Sequence, residues 1–483
     1  MPQRSLKTAT ISSLFWKLFE QGGNALITLV VEIVLARLLA PAQFGALAIM
    51  LVFVNVGTVI VQSGLNTAII QSVRADESDY STVFWMSLAL SALLYLAIFL
   101  SAPAVASFYS MPDILWPLRV LMLVLLVNAY NSVQEAIVAR ELAFRKTFRA
   151  TVTASATSGV IGIALAIAGA GLWALVLQQL LLQILRCIVL AAQVPWKPHA
   201  ILDPSLARKH FRFGWKLLAS GLLDQASTSL SDLIVGRLFT SGELGYVSQG
   251  KKYPRALAVM LDGAIQPVML SATARIQEDK ERVKSLARRA LKTSTFLVAP
   301  AMTLFAVAAE PIVVLFLGEK WLPSVPFLQM YCIICALRPL HTTNLQVING
   351  MGHSEVFLKL EVLKTALSIG VLLFCAFVLH DLYAIVGGNI LVGIGCALIN
   401  AHPNRRIIGY GYGEQIRDVA PAFLLSAAAG ALAWAVSLLA LGGVATLLLQ
   451  IATMVAGSAA LAKLLHIEAF DYLLATLREI AGR

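Results

Sequence analysis

Runs of about 20 apolar residues, the length a helix needs to cross a hydrocarbon core, recur along the whole chain between short polar stretches. They predict fourteen membrane-spanning helices, at residues 11–37, 44–70, 81–108, 114–138, 148–169, 171–193, 213–237, 243–272, 290–316, 325–348, 358–379, 382–401, 418–440 and 443–465. The pattern describes an all-α polytopic membrane protein. Beyond the last run, Phe470, Leu473, Leu474 and Leu477 fall at helical spacing. That tail reads either as a short amphipathic helix on the cytoplasmic interface or as a frayed end.

A second pattern lies in the polar residues inside these runs. Glu32-Ile-Val-Leu-Ala-Arg37-Leu38 followed by Gly45 matches Asp232-Leu-Ile-Val-Gly-Arg237-Leu238 followed by Gly245, and upstream Trp16-Lys17 and Gly22 match Trp215-Lys216 and Gly221. Pro103-Ala-Val-Ala-Ser-Phe108 likewise matches Pro311-Ile-Val-Val-Leu-Phe316. The chain is a duplication of a six-helix unit. Six is an even number, so both copies enter the membrane with the same orientation and form parallel repeats. The expected domains are an N-terminal bundle over 1–193, a cytoplasmic linker over 194–212 and a C-terminal bundle over 213–401. A loop over 402–417, helices 13 and 14 over 418–465, and a tail over 466–483 complete the chain.

Composition excludes a soluble alternative. With 59% hydrophobic and 13% charged residues and a mean hydropathy of +0.80, there is too little charge to cover a water-facing surface. The net charge of +11 raises nucleic acid as a partner, but its distribution removes that reading. Nearly all loop Lys and Arg fall in the connections on one face, including Arg140, Arg145, Lys146 and Arg149 and the cluster from Arg275 to Lys292. Only Arg37, Arg237 and Lys320 fall on the other face, and this asymmetry places both termini in the cytoplasm. The first apolar run lacks a processing site and is expected to insert and stay.

The segment Leu35-Ala-Arg-Leu-Leu-Ala-Pro-Ala-Gln-Phe-Gly45, the later Gly64-Leu-Asn-Thr-Ala-Ile-Ile-Gln71 and the Arg140-Glu-Leu-Ala-Phe144 stretch closely resemble the polysaccharide transport family. This family comprises the Wzx-type lipid-linked oligosaccharide flippases, in the superfamily that also holds the multidrug and toxin extrusion (MATE) transporters. The resemblance implies two six-helix bundles around a central cavity. It implies a flippase of the bacterial inner membrane moving undecaprenyl-diphosphate-linked sugar units from the cytoplasmic to the periplasmic leaflet, by alternating access. The partners implied are the lipid-linked oligosaccharide, membrane lipids, a polysaccharide polymerase and a chain-length regulator.

Such cargo keeps its tail in lipid, but its anionic head needs cations at membrane depth. In helix 8, Lys251, Arg255, Asp262 and Gln266 lie within about 60° of one another, with Lys252 about 100° away. Arg255 and Arg338 of helix 10 are too deep to snorkel, and a guanidinium can hold two phosphate oxygens at once. Two readings of these arginines stay open: contact with cargo in a hydrated cavity, or an ion pair between helices. Glu20 and Asn24 of helix 1, Asp224 of helix 7 and His341 of helix 10 are further candidate cavity residues. Glu32 and Arg37, like Asp232 and Arg237, are five positions apart, about 140° around a helix, so neither pair forms an i, i+4 bridge. They are candidate gating residues or local anchors.

No cofactor, metal or catalytic residue is expected. There is no Walker loop, and Cys332-x-x-Cys335 sits in an apolar helix without companion ligands. Coupling to protons, sodium or membrane potential stays open, with Glu20, Asp224 and Asp262 as the carboxylates able to bind an ion. A drug exporter of the same superfamily is the competing function, and a membrane glycan polymerase or ligase the more distant one.

Overall fold

The computed structural model describes residues 3–62, 65–71, 75–141, 143–439 and 441–481. Among them the chain forms helices and no strands. The first half holds α1 (Gln3–Leu38), α2 (Pro41–Gln62), α3 (Glu77–Phe108), α4 (Pro112–Arg140), α5 (Phe144–Ile167), α6 (Leu172–Gln193) and α7 (Pro204–Leu238). Then come α8 (Ser241–Arg275), α9 (Lys280–Val307), α10 (Glu319–Gly350), α11 (Ser354–Phe374), α12 (Leu382–Ile407), α13 (Tyr412–Ala435), α14 (Gly443–Leu464) and α15 (Glu468–Ala481). Twelve of these are long and apolar enough to span a membrane; α7 and α8, 35 residues each, carry the charges that lower their apolarity. This is a multi-span membrane protein.

Several boundaries differ from the hydropathy reading, for local reasons. Helix α7 begins at Pro204, because Asp203 caps it by accepting from the Ser205 backbone N–H at 2.7 Å and Pro204 suits the first turn. The Ser205 hydroxyl and backbone together hold the Asp203 carboxyl below the usual carboxylate range. Helix α9 begins at Lys280 behind an Asp279 cap. These turns are helical but charged, so an apolarity scan cannot see them. Helices α4 and α10, read as continuous, are each broken: α4 at Met122 and Leu123, and α10 at Leu337, just before Arg338-Pro339. Pro339 lacks the N–H that would continue the ladder. The tail is the amphipathic helix α15, with Phe470 against Phe296 at a ring separation of 6.1 Å.

Two compact units divide the chain, Met1–Gly245 and Tyr246–Arg483. Within the first, α1 and α5 run parallel and pack through polar rungs. The Glu20 carboxylate accepts from Thr147 Oγ1 at 3.0 Å and Thr151 Oγ1 at 3.2 Å, and Asn24 Oδ1 accepts from Ser155 Oγ at 2.5 Å. One turn further, Gly159 leaves room for Val31. The segment before α7, and the start of α7 itself, are tied to the start of α3. His199 O accepts from Trp85 Nε1 at 2.8 Å, Asp203 N donates to Thr82 Oγ1 at 3.2 Å, and His210 Nε2 donates to Asp79 Oδ1 at 2.7 Å with both side chains buried.

The duplication appears as a reciprocal crossing in this unit. A Cβ on Gly45 would lie 1.8 Å from the Ser241 carbonyl oxygen, and one on Gly245 would lie 2.1 Å from that of Pro41. Each glycine of the repeat lets the opposite helix start pass against its backbone. The first turns are also capped alike: Gln43 Oε1 accepts from Ala40 N at 2.9 Å and Glu243 Oε2 from Thr240 N at 2.9 Å.

The second unit has an apolar core around Met269, Leu291, Val347 and Tyr410. The same unit holds a buried amide network, in which Asn404 Nδ2 donates to Asn344 Oδ1 at 2.6 Å and Asn344 Nδ2 to Gln415 Oε1 at 2.9 Å. In both units large apolar side chains stand on outer faces, among them Ile167 at 71% and Leu391 at 68% exposed. In water such a surface would be untenable, whereas acyl chains cover it without cost.

Candidate functional site

Where α10 breaks, the second unit holds an ion pair between helices. Arg338, the first residue after the break, donates from Nε and from Nη2 to Asp262 Oδ2 of α8, each at 2.5 Å. Thr342, one turn on in α10, donates to the other oxygen, Oδ1, at 2.7 Å. Asp262 is buried at 5% exposure, so both its oxygens are satisfied inside protein. Arg338 is different: its side chain remains 38% exposed. A guanidinium held on one side and open on the other can take up a second anion by its remaining N–H groups.

Arg255 belongs to the same neighbourhood. It lies seven residues before Asp262, two turns along one face of α8 and about 10 Å away along the axis. Arg255 is exposed. Lys251 and Lys252, on the N-terminal side of Arg255 in α8, each have interaction partners. From the predicted set the structure pairs Arg338 with Asp262 and leaves Arg255 two turns before Asp262 in α8.

His341 shares α10 with Arg338 but turns to α12, where its Nδ1 accepts from Asn400 Nδ2 at 3.2 Å. Glu20 and Asn24 in the first unit are engaged by α5 hydroxyls, as described above, and so belong to an interhelical seam. The Asp224 side chain lies outside the described residues. In α7, Gln225 donates to Ser229 Oγ at 2.6 Å. Glu32 and Asp232 are half-buried and Arg37 and Arg237 exposed. The Arg237 guanidinium sits 5.1 Å from the Phe108 ring centroid at the end of α3, a cation–π contact. Among the described residues, no group of three or more His, Cys, Asp and Glu side chains gathers as a metal site.

Sequence reasoning missed Thr342, Thr147, Thr151 and Ser155, the hydroxyls that satisfy the intramembrane carboxylates and amides. Isolated Ser and Thr in apolar runs carry little signal. It also missed the break itself, although Arg338-Pro339 inside an apolar run is the Pro-interrupted signature of a discontinuous spanning helix.

A family described as "Polysaccharide biosynthesis protein" matches residues 34–326. The succinoglycan biosynthesis transport protein ExoT of Rhizobium meliloti (strain 1021) is 23% identical over 78% of this chain and 76% of its own length. The lipopolysaccharide biosynthesis protein WzxC of Escherichia coli (strain K12) is 24% identical over 82% of this chain and 78% of its own. Among solved structures, the lipid II flippase MurJ in an inward closed conformation superposes with a TM-score of 0.73 at 13% identity, over 94% of this chain and 99% of that one. An inward-facing multidrug resistance MATE family transporter superposes at 0.64 with 17% identity, over 80% of this chain and 94% of that one. The fold is thus all-helical and MATE-like.

Proposed function

The chain belongs to the family of polysaccharide biosynthesis proteins, and on that premise we propose that it is a flippase for lipid-linked oligosaccharides. Its cargo is an undecaprenyl-diphosphate-linked repeat unit. It moves from the cytoplasmic to the periplasmic leaflet of the inner membrane by alternating access, for exopolysaccharide, capsule or O-antigen synthesis. No covalent bond is made or broken. The similarity to ExoT, a succinoglycan biosynthesis transport protein, and to MurJ, a lipid II flippase, supports this reading.

The observation that carries it is the half-open Arg338 at the α10 break, paired with buried Asp262 and with Arg255 two turns away. The cargo's diphosphate enters as a competitor of Asp262. Arg338 exchanges one carboxylate for phosphate oxygens while Arg255 meets the second phosphate, and Asp262 keeps the Thr342 hydroxyl. On release the carboxylate recaptures Arg338, which returns the site to a neutral pair. Asp262, freed during this exchange, is the group through which a proton or sodium ion, or the membrane potential, couples to transport. Both termini lie in the cytoplasm, and polymerase and chain-length regulator act on the delivered units.

The test is export in cells that depend on this protein. Arg338→Ala and Arg255→Ala, each inserted at wild-type levels, should stop polysaccharide appearing outside while lipid-linked units accumulate inside. Normal export by both variants would overturn the diphosphate assignment and return the drug-exporter reading.

A further inference from the structure

Outside the transport site, the cytoplasmic end of the second unit holds a cleft of about 640 Å³ between α9 and α15. One wall is a basic face of α9: Lys284, Arg288 and Lys292 recur every fourth residue, with Arg289 beside them. The other wall is α15, contributing Glu468 and Tyr472, whose ring centre is 5.6 Å from the Arg289 guanidinium.

The cations are held to different degrees. Arg288 makes two 2.8 Å bonds to the buried Asp418, which also accepts from Tyr410, and Lys284 donates to Glu414 at 2.9 Å. These pairs fasten α9 to α13. Lys292 reaches Asp418 at only 3.6 Å, and its close partner is Glu468 at 2.7 Å. Glu468 is 80% exposed, and an ion pair that open to water contributes little. Its carboxylate is the weakest link in the cleft.

Depth identifies the occupant. The cytoplasmic half of α9 is charged up to Lys292, and from Thr293 to Val307 the helix carries no charge at all. Phe470 of α15 packs on Phe296 directly below that boundary. The cleft therefore sits at the level where headgroups meet acyl chains, with interfacial aromatics on one wall and a basic stripe on the other.

We propose that this cleft binds the phosphate of an anionic glycerophospholipid of the cytoplasmic leaflet, through Lys292 and Arg289, with Glu468 occupying the place of that phosphate in its absence. Lipid binding replaces the Lys292–Glu468 pair and loosens the start of α15 from α9. The inference is independent of the cargo assigned above, because it uses neither Arg338 nor Arg255.

The test is lipid binding by the purified full-length protein, by native mass spectrometry and by titration in nanodiscs containing phosphatidylglycerol or phosphatidylcholine. Wild type should prefer phosphatidylglycerol. Arg289→Gln combined with Lys292→Gln should weaken that preference by about tenfold or more, and Glu468→Gln, which retains every cation, should strengthen it by about two- to fivefold. An unchanged preference in both variants overturns the site. Equal occupancy by inorganic phosphate alone, in competition with the lipid, overturns the lipid assignment. The Glu468→Gln arm decides the matter even where the double variant unfolds.

Discussion

The two units treat a carboxylate within the membrane in opposite ways. Glu20 in the first unit is met by the Thr147 and Thr151 hydroxyls across the α1–α5 seam, and Asn24 by Ser155, along unbroken helices. Asp262 in the second is met by a guanidinium at a helix break, with Thr342 on its other oxygen. Hydroxyl rungs fix one packing of two helices, and removing one costs little because neighbours can substitute. An ion pair with one half-open member stores an exchangeable partner. The comparison teaches that polar residues at membrane depth, alike in sequence, divide into those that hold helices together and those that can change what they hold.

The largest effect should follow from splitting the pair. Asp262→Ala leaves the half-open Arg338 cation without its carboxylate, a loss below the about 3–5 kcal/mol of splitting a fully buried pair. Export should be abolished and the melting temperature in detergent should fall. Arg338→Lys keeps the charge but not the planar fork, so export should drop steeply at unchanged protein level. If Arg338→Lys exports like wild type, two-oxygen recognition is not what the site does.

The repeat crossing comes next. Gly45→Ala and Gly245→Ala each push a methyl into a backbone carbonyl, an overpacking cost of about 1–3 kcal/mol. The two variants should destabilise to similar degrees in thermal unfolding, since the two contacts are reciprocal. A large effect at only one glycine would break the equivalence of the copies at this crossing.

The smallest effects should appear in the seam. Thr147→Val and Thr151→Val should each cost about 0.6 kcal/mol, with export retained, and Glu20→Gln should export near wild type because the amide oxygen still accepts from one hydroxyl while the amide NH2 donates to the other. Loss of export in Glu20→Gln, at normal levels and stability, would move Glu20 from the seam to the transport chemistry and erase the contrast between the units.

Much of this was legible from the chain alone, for a plain reason. A bilayer demands about 20 apolar residues per crossing, so helix number, class and the six-helix duplication follow from one-dimensional spacing, as Glu32 to Gly45 and Asp232 to Gly245 show. The arginines at depth stood out for the same reason: charge is costly there. The partners did not. Asp262 and Arg338 are 76 residues apart, and Glu20 and Thr147 127 apart. No spacing rule on one helix reports how a second is rotated against it. Helix ends were also misplaced where charged turns run past the membrane, as at Pro204 and Lys280.

What the sequence by itself determined is the set of helices, their repeat and the family, because hydropathy and local pattern act residue by residue. Tertiary structure alone decided which polar groups are spent. It closed Glu20 and Asn24 into a seam, turned His341 toward Asn400, and left Arg338 half-open against Asp262. The physical reason is that a buried polar group takes whichever partner the packing of another helix presents, and that choice is made in three dimensions.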